Sequence, residues 1–443
     1  MEEKKETKHL KSAMKTRHVV MLSLGGAIGA GLFAGSGTAI AAAGPSVMLA
    51  YILAGLILFV VIYGVGQIVL QQQEKSVGMS GLIAPFVGER LGHFTDWVYW
   101  ADSMAVMVAE AAAIAQFLHA WWPMVPNWIF VLVVAILTLG INLYSVRAFA
   151  ETEYWLAIAK IAVIILLIIL GFWFLMTQIL QLGIANGLNQ MNTYGGFMPH
   201  GMSGVFAAML MVIYSYGGSE MIALTISEVE NPKKAIPKAI RGLMLRIVSF
   251  YVIPIFIFLE LFSWKFLSTT KASPFVLIFD KFGIPYAAVL VNFVIVLALF
   301  SVINSMIYAT SRSLYARVQN TQHGLGGYLG KLSKHQAPIR AIAFCAGVLF
   351  IGVILSYIFG NRLFSYMAGS ISYTVLMTWL MLLIASLVFY YRTKASLLKK
   401  GMAWLTLIVL LIVGYNLVIS NPWGITIFAI VVGLISFLSF RKK

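Results

Sequence analysis

Apolar residues in this chain gather into long runs broken by short polar stretches, not into regular alternation. Twelve runs can be marked, with soft edges: about 18–40, 45–69, 97–121, 127–146, 154–177, 202–224, 239–264, 286–310, 339–359, 363–390, 401–420 and 423–440. Most reach or approach the roughly 20 residues an α-helix needs to cross a bilayer. A membrane barrel would show alternating segments of about ten residues. Runs such as Ile161 to Leu175 do not alternate, and an open sheet edge cannot sit in lipid. The pattern therefore predicts an all-α polytopic membrane protein with twelve transmembrane helices. Residues 1–17 are polar, carry six Lys/Arg and read as an N-terminal arm. The apolar stretch after them is too long for the core of a secretory signal, so it is kept as a membrane segment.

Composition agrees. The chain has 443 residues, 61% hydrophobic and 10% charged, against roughly 25% charged in an ordinary soluble domain. A soluble enzyme, a disordered chain and a disulfide-rich secreted domain are excluded. Lys and Arg total 31 against 15 Asp and Glu, a net charge of +16. Nucleic acid is not the expected partner, because the charge sorts by loop. Of these cations 26 fall on the side of the N-terminal arm and 4 on the other (Lys265, Lys271, Lys281, Arg362). The loop after span six contributes Lys233, Lys234, Lys238, Arg241 and Arg246 to the first group. Cytoplasmic loops collect Lys and Arg, so both termini are expected inside. Lys160 is the one cation this count leaves within a span. A lone Cys345 and unclustered histidines offer no disulfide and no metal site. No Walker A pattern is present, and no triad or paired carboxylates suggest hydrolysis. No enzyme activity and no cofactor are expected; transport would run on a gradient or on exchange.

Three features carry chemistry. Span one opens with Gly25-Gly26-Ala27-Ile28-Gly29-Ala30-Gly31-Leu32-Phe33, then Gly35 and Gly37. Clustered glycines weaken a helix and let a ligand reach the backbone. A broken helix offers free N–H groups that suit a carboxylate. The alternative is close helix packing, since Gly25 and Gly29, like Gly31 and Gly35, are spaced as small-xxx-small pairs. Span six repeats the theme as Tyr214-Ser215-Tyr216-Gly217-Gly218-Ser219-Glu220. Glycine breaks at corresponding places in two halves point to a transporter's midplane site. Third come the ionisable residues inside spans, which are costly and usually functional. Glu110 lies mid-span three, and Asp102, eight residues earlier, is within about 80° of the same helix face. Lys160 lies roughly 9 Å into span five, where it either snorkels to the interface or exchanges a proton. Glu220 serves the site or marks the cytoplasmic mouth. Glu260, at the outer end of span seven, is expected at the interface.

These residues resemble the bacterial amino acid transporter family within the amino acid–polyamine–organocation superfamily. The resemblance runs from Arg17 to about Arg392. It rests on Gly25–Pro45, Trp97–Glu110, Asn142–Lys160, the Tyr214–Glu220 break, the loop Glu228–Ile240 and Asn304–Ala316. It implies a LeuT-like fold with a 5+5 inverted repeat and broken helices 1 and 6. The expected layout is an arm at 1–17 and a ten-helix core at 18–392, with repeats at about 18–177 and 202–390. Two more helices would fill 393–440, before a tail at 441–443. By resemblance, N–H groups near Gly29, Ala30 and Gly31 bind the substrate carboxylate. Carbonyls near Ala27, Tyr214 and Gly217 hold its amino group, and Tyr214, Tyr216 and Gly218 shape the side-chain pocket. Lys160 stands in the place of a sodium site, which implies proton coupling. Asp102, Glu110 and Glu220 are left as gate or specificity acids. The sequence departs from the family pattern at Ala30, Gln67, Asp102 and Gly78–Gly81.

The resulting expectation is a proton-coupled importer of a neutral, apolar L-amino acid in a bacterial plasma membrane. Its partners would be the amino acid, a proton and the lipid bilayer; the oligomeric state is open. A cationic amino acid permease using Asp102 or Glu110 is the alternative, followed by an amino acid or amine antiporter and a non-transporting sensor.

Overall fold

In lipid an apolar run must satisfy its backbone internally, and a helix does so. The computed structural model describes residues 28–71, 78–144, 146–220, 232–270, 272–281, 283, 286–319, 321, 323–333, 337–420, 425–426, 428–430 and 432–433. Among them every regular element is helical. Seven stretches are long and apolar enough to cross a membrane: Gly35–Gln71, Glu89–His119, Tyr154–Leu182, Ile236–Leu261, Ala287–Val318, Ile339–Arg392 and Leu397–Ile419. The first and sixth are each divided by a 3-10 turn, Gly44–Ser46 and Gly360–Arg362, and each joins two of the runs marked in the sequence. Gly44 makes the first turn possible. It lies at φ +61, and a Cβ there would stand 2.4 Å from Pro199 Cγ.

The elements around the centre are α1 (Ala30–Phe33), α2 (Gly35–Ala43), α3 (Val47–Gln71), α4 (Gly78–Val87), α5 (Glu89–His119), α6 (Asn127–Tyr144), α7 (Val146–Leu182) and α8 (Gly201–Tyr216). After them come α9 (Pro232–Ile247), a π-helical turn at Val248–Val252, α10 (Ile253–Leu261), α11 (Trp264–Thr269), α12 (Pro274–Lys281), α13 (Ala287–Val318), α14 (Ile339–Phe359), α15 (Leu363–Arg392) and α16 (Leu397–Ser420). Helix α5 packs on α4, α6, α13 and α15, while α8 packs on α2, α3 and α15. The short α1 touches both α5 and α8. Helices associate in lipid through close packing, for which small side chains are suited. The buried Ala109, Ala111, Ala112, Ala113 and Ala115 give α5 such a surface.

Arg246 sits differently from the sequence expectation. Arg246, counted with a cytoplasmic loop, is 4% exposed. The reason is the length of α9: it starts at Pro232, and fourteen residues at 1.5 Å each carry Arg246 about 21 Å along its axis. Glu260 is 3% exposed and accepts the Gln190 backbone N–H, from the connection between α7 and α8, at 3.2 Å.

Candidate functional site

Span one is broken in the way its glycines suggest. Gly29 is extended, and helix resumes at Ala30, runs to Phe33 and resumes again at Gly35. The first N–H groups of a helix have no partner within it. Here the Ala30 N–H is taken by Glu110, whose two carboxylate oxygens lie 3.0 and 3.1 Å away. Absence of side chains permits this approach. A Cβ on Gly29 would stand 2.4 Å from Glu110 Oε1, and one on Gly31 would stand 2.4 Å from Ser215 Cα. Helix α1 is thus wedged between α5 and α8: a methyl group at Gly31 would meet the Ser215 backbone, and one at Gly29 would displace the Glu110 carboxylate.

The second break follows Tyr216. Gly217 leaves the helical region and Gly218 takes φ +84, a conformation glycine adopts at no steric cost. The Gly218 N–H donates to Glu220 Oε1 at 3.0 Å, and Trp379 Nε1–H of α15 donates to Glu220 Oε2 at 3.5 Å. The Tyr214 hydroxyl donates to Glu110 Oε1 at 3.4 Å, which ties the two breaks together. Beside them Tyr51, Tyr216 and Tyr251 form a ring cluster with centroids 4.9–5.9 Å apart. Tyr216 donates to the Tyr51 carbonyl at 3.0 Å and Tyr251 to the Ser215 carbonyl at 2.8 Å. The π-helical turn, a form frequent at functional sites, carries Tyr251. Phenylalanine at position 251 leaves the buried Ser215 carbonyl without this donor. A loss of about 1 kcal/mol is expected, read as a lower thermal unfolding midpoint in detergent.

A central cavity of about 30 Å³ lies between the breaks, enough for about two waters at roughly 10–15 Å³ each. Gly29, Gly31, Asp102, Glu110, Tyr214, Gly217, Gly218 and Glu220 all line it. Asp102, Glu110 and Glu220 are 5%, 3% and 1% exposed, so three acids face one buried space. The Thr374 hydroxyl of α15 donates to Asp102. Ala30 contributes its N–H, not a wall. Tyr216 is turned away from the cavity into the ring cluster. Lys160 does not line the cavity, but it is fully buried on α7 and within electrostatic range of Glu110. Ala27 lies outside the described residues. Tyr99, Ser103, Val106, Ser215 and Met306 complete much of the lining and were not singled out in the sequence. Tyr99, Ser103 and Ser215 lay inside quoted motifs with a polar side chain to suggest a role. Among the described residues no three His, Cys, Asp or Glu side chains form a metal site.

A second cavity of about 520 Å³ opens beyond α1. It lies between α2, the end of α5, α11–α12 and the start of α13, and Phe33 and Ala34 line one side. Among the described residues no charged side chain lines it. Phe33 is held by Ser273, whose hydroxyl donates to the Phe33 carbonyl at 2.6 Å, and by Phe275, whose ring meets it edge-on at 5.0 Å.

Apolar membrane-length helices around a buried polar site with two glycine breaks define a multi-pass membrane protein of the transporter class. The amino acid permease family model matches residues 18–441. An aromatic amino acid permease, FywP, of Lactococcus lactis subsp. cremoris (strain MG1363) is 52% identical over 441 residues, covering 98% of this chain and 96% of the relative. YvbW, an uncharacterized amino acid permease of Bacillus subtilis (strain 168), is 42% identical over 381 residues, 86% of this chain and 84% of its own. The aromatic amino acid transport protein AroP of Escherichia coli O157:H7 is 31% identical over 444 residues, covering 98% and 96%. The chain belongs to the amino acid permease family of the amino acid–polyamine–organocation superfamily.

Proposed function

We propose that this permease imports aromatic L-amino acids together with a proton. Twelve helices in a LeuT-like arrangement, with inverted repeats at about 18–177 and 202–390, would carry it, both termini in the cytoplasm. The observation that carries the reading is the seat of Glu110. A carboxylate already rests on the Ala30 N–H, where a substrate carboxylate is expected. A second carboxylate on that N–H would repel the first, since two carboxylates sharing a site do not both stay ionised. Arrival of the amino acid therefore sends Glu110 away from Ala30 with a proton taken up by the Glu110–Lys160 pair. Coupled groups titrate as a pair, not singly. The amino group would rest on carbonyls freed at the two breaks. Val106, Met306 and Ile371 give the cavity an apolar wall for a ring, in keeping with the aromatic specificity in the names of two relatives.

The central cavity is too small for an amino acid, so this conformation is closed. The larger cavity, on the side of α11 and α12, would be the approach from outside. Displacing Phe33 from Phe275 would join the two. Rocking of helix groups would then open the inner side.

Reconstituted protein tests the reading. Proteoliposomes with an inward proton gradient are expected to accumulate phenylalanine, tyrosine or tryptophan without internal amino acid. Uptake that needs internal amino acid and ignores the gradient would mean an exchanger. With alanine at position 160, gradient-driven accumulation is expected to disappear while exchange persists. Asparagine at position 102 is expected to leave aromatic uptake within about twofold, because an amide can still accept from Thr374. A cationic permease using Asp102 would instead lose its substrate.

A further inference from the structure

Among the described residues the coupling step leaves one buried cation without a role. Arg246 is 4% exposed on α9 and belongs to neither cavity. Its guanidinium donates to the Ser219 hydroxyl at the span-six break. It stands within electrostatic range of Glu220 from the same break, Tyr216 from α8 and Tyr251 from the π-helical turn. Glu220 is tied onward to Trp379 of α15. Arg246 therefore joins α9 to the point where span six is broken, and through Glu220 to α15. Its Nε–H is buried and has no hydrogen-bond partner among the described residues.

A guanidinium stays charged at any physiological pH. Arg246 cannot shed its charge to relieve the cost of burial, whereas a lysine can. It stays buried only while its partners hold it, and a buried donor without an acceptor makes the arrangement less favourable than it could be. That balance suits a closed state that must open again, since a carrier stalls if one state is too strongly favoured.

We infer that Arg246 is the latch of the inner side. It holds the span-six break against α9 through Ser219 and Glu220, and its release opens the central cavity toward the cytoplasm. The inference rests on the transport reading above and on its orientation, in which the basic start of α9 faces the cytoplasm. Arg246 is a positioning residue. It acts on the site through Ser219 and Glu220.

The test needs no substrate. A reporter cysteine is placed at Met306, in the central cavity, with Cys345 replaced by alanine. A membrane-impermeant maleimide is applied to inside-out and right-side-out vesicles. With Arg246→Gln, labelling from the cytoplasmic side is expected to rise about tenfold, the scale of one lost charge-assisted hydrogen bond. With Ser219→Ala it is expected to rise by a smaller factor. Labelling from the outside is expected to stay unchanged or fall. Rates within about twofold of the parent for both variants on the cytoplasmic side, or an equal rise on both sides, overturn the latch. If Arg246→Gln fails to give a monodisperse protein, Ser219→Ala decides alone, and an unchanged rate overturns it. Failure of the parent to transport any amino acid would instead strike the proposed function and leave the labelling result standing.

Discussion

Glutamine in place of Glu110 is expected to keep amino acid binding and to abolish accumulation driven by a pH gradient. The side chain is nearly isosteric, and its amide oxygen can still accept the Ala30 N–H now shared by the two carboxylate oxygens. The Tyr214 hydroxyl also keeps an acceptor. What is lost is the negative charge that must leave when a substrate carboxylate arrives. Binding should therefore become independent of pH across the neutral range, where the parent binds more tightly as pH falls. In proteoliposomes the variant should exchange labelled phenylalanine across the membrane, yet reach no gradient-driven accumulation beyond equality of the two sides. Alanine at position 110 tests something else. It leaves the Ala30 N–H empty in the closed state, so weaker packing joins the loss of coupling.

Alanine in place of Gly31 should stop transport by a different route. The added Cβ would meet Ser215 Cα at 2.4 Å, with Ser215 Oγ and N at 2.8 and 2.9 Å. Two of these atoms are backbone, so no rotamer change relieves the clash and α1 must move away from α8. Overpacking of this kind costs about 1–3 kcal/mol, and the displacement falls on the turn whose N–H groups form the site. A lower thermal midpoint is expected, with at least about a tenfold loss of uptake for each 1.4 kcal/mol that falls on the bound state. Alanine at Gly35 is the matched control. Its Cβ would find its nearest neighbours at 3.7 Å, an ordinary contact, and uptake should be near that of the parent.

Much of the site could be read from the sequence because its chemistry is expensive in a membrane. Glycine clusters and mid-span acids are tolerated there only for a reason. So Gly29, Gly31, Gly217, Gly218, Glu110 and Glu220 could be named without coordinates, and the structure gathers them on one cavity. Their partners were not legible. Nothing in the sequence pairs Glu110 with a backbone N–H eighty residues away, or Asp102 with Thr374. Such pairings depend on how helices cross. Resemblance to the family implied Tyr216 as a pocket wall; in the structure its ring packs against Tyr51 and Tyr251. Arg246 was hidden by the topology count itself. A cation near a basic loop is assigned to the loop, and only the position along α9 reveals that it is buried.

Helical content and family membership followed from long apolar runs and motifs that span most of the chain. The boundaries of individual spans did not. The Gly44–Ser46 turn joins two apolar helices without a polar loop to mark it, and Gly201–Tyr216 is a short apolar helix that ends at a break in mid-run. The proposed coupling rests on the exchange of one carboxylate for another at Ala30, and calorimetry of phenylalanine binding to the purified protein tests this most directly. Titrations at one pH in two buffers of different ionisation enthalpy report the protons taken up per amino acid bound. Net proton uptake is expected for the parent and none for Glu110→Gln. Binding with no proton uptake by the parent, or equal uptake by both proteins, would contradict it.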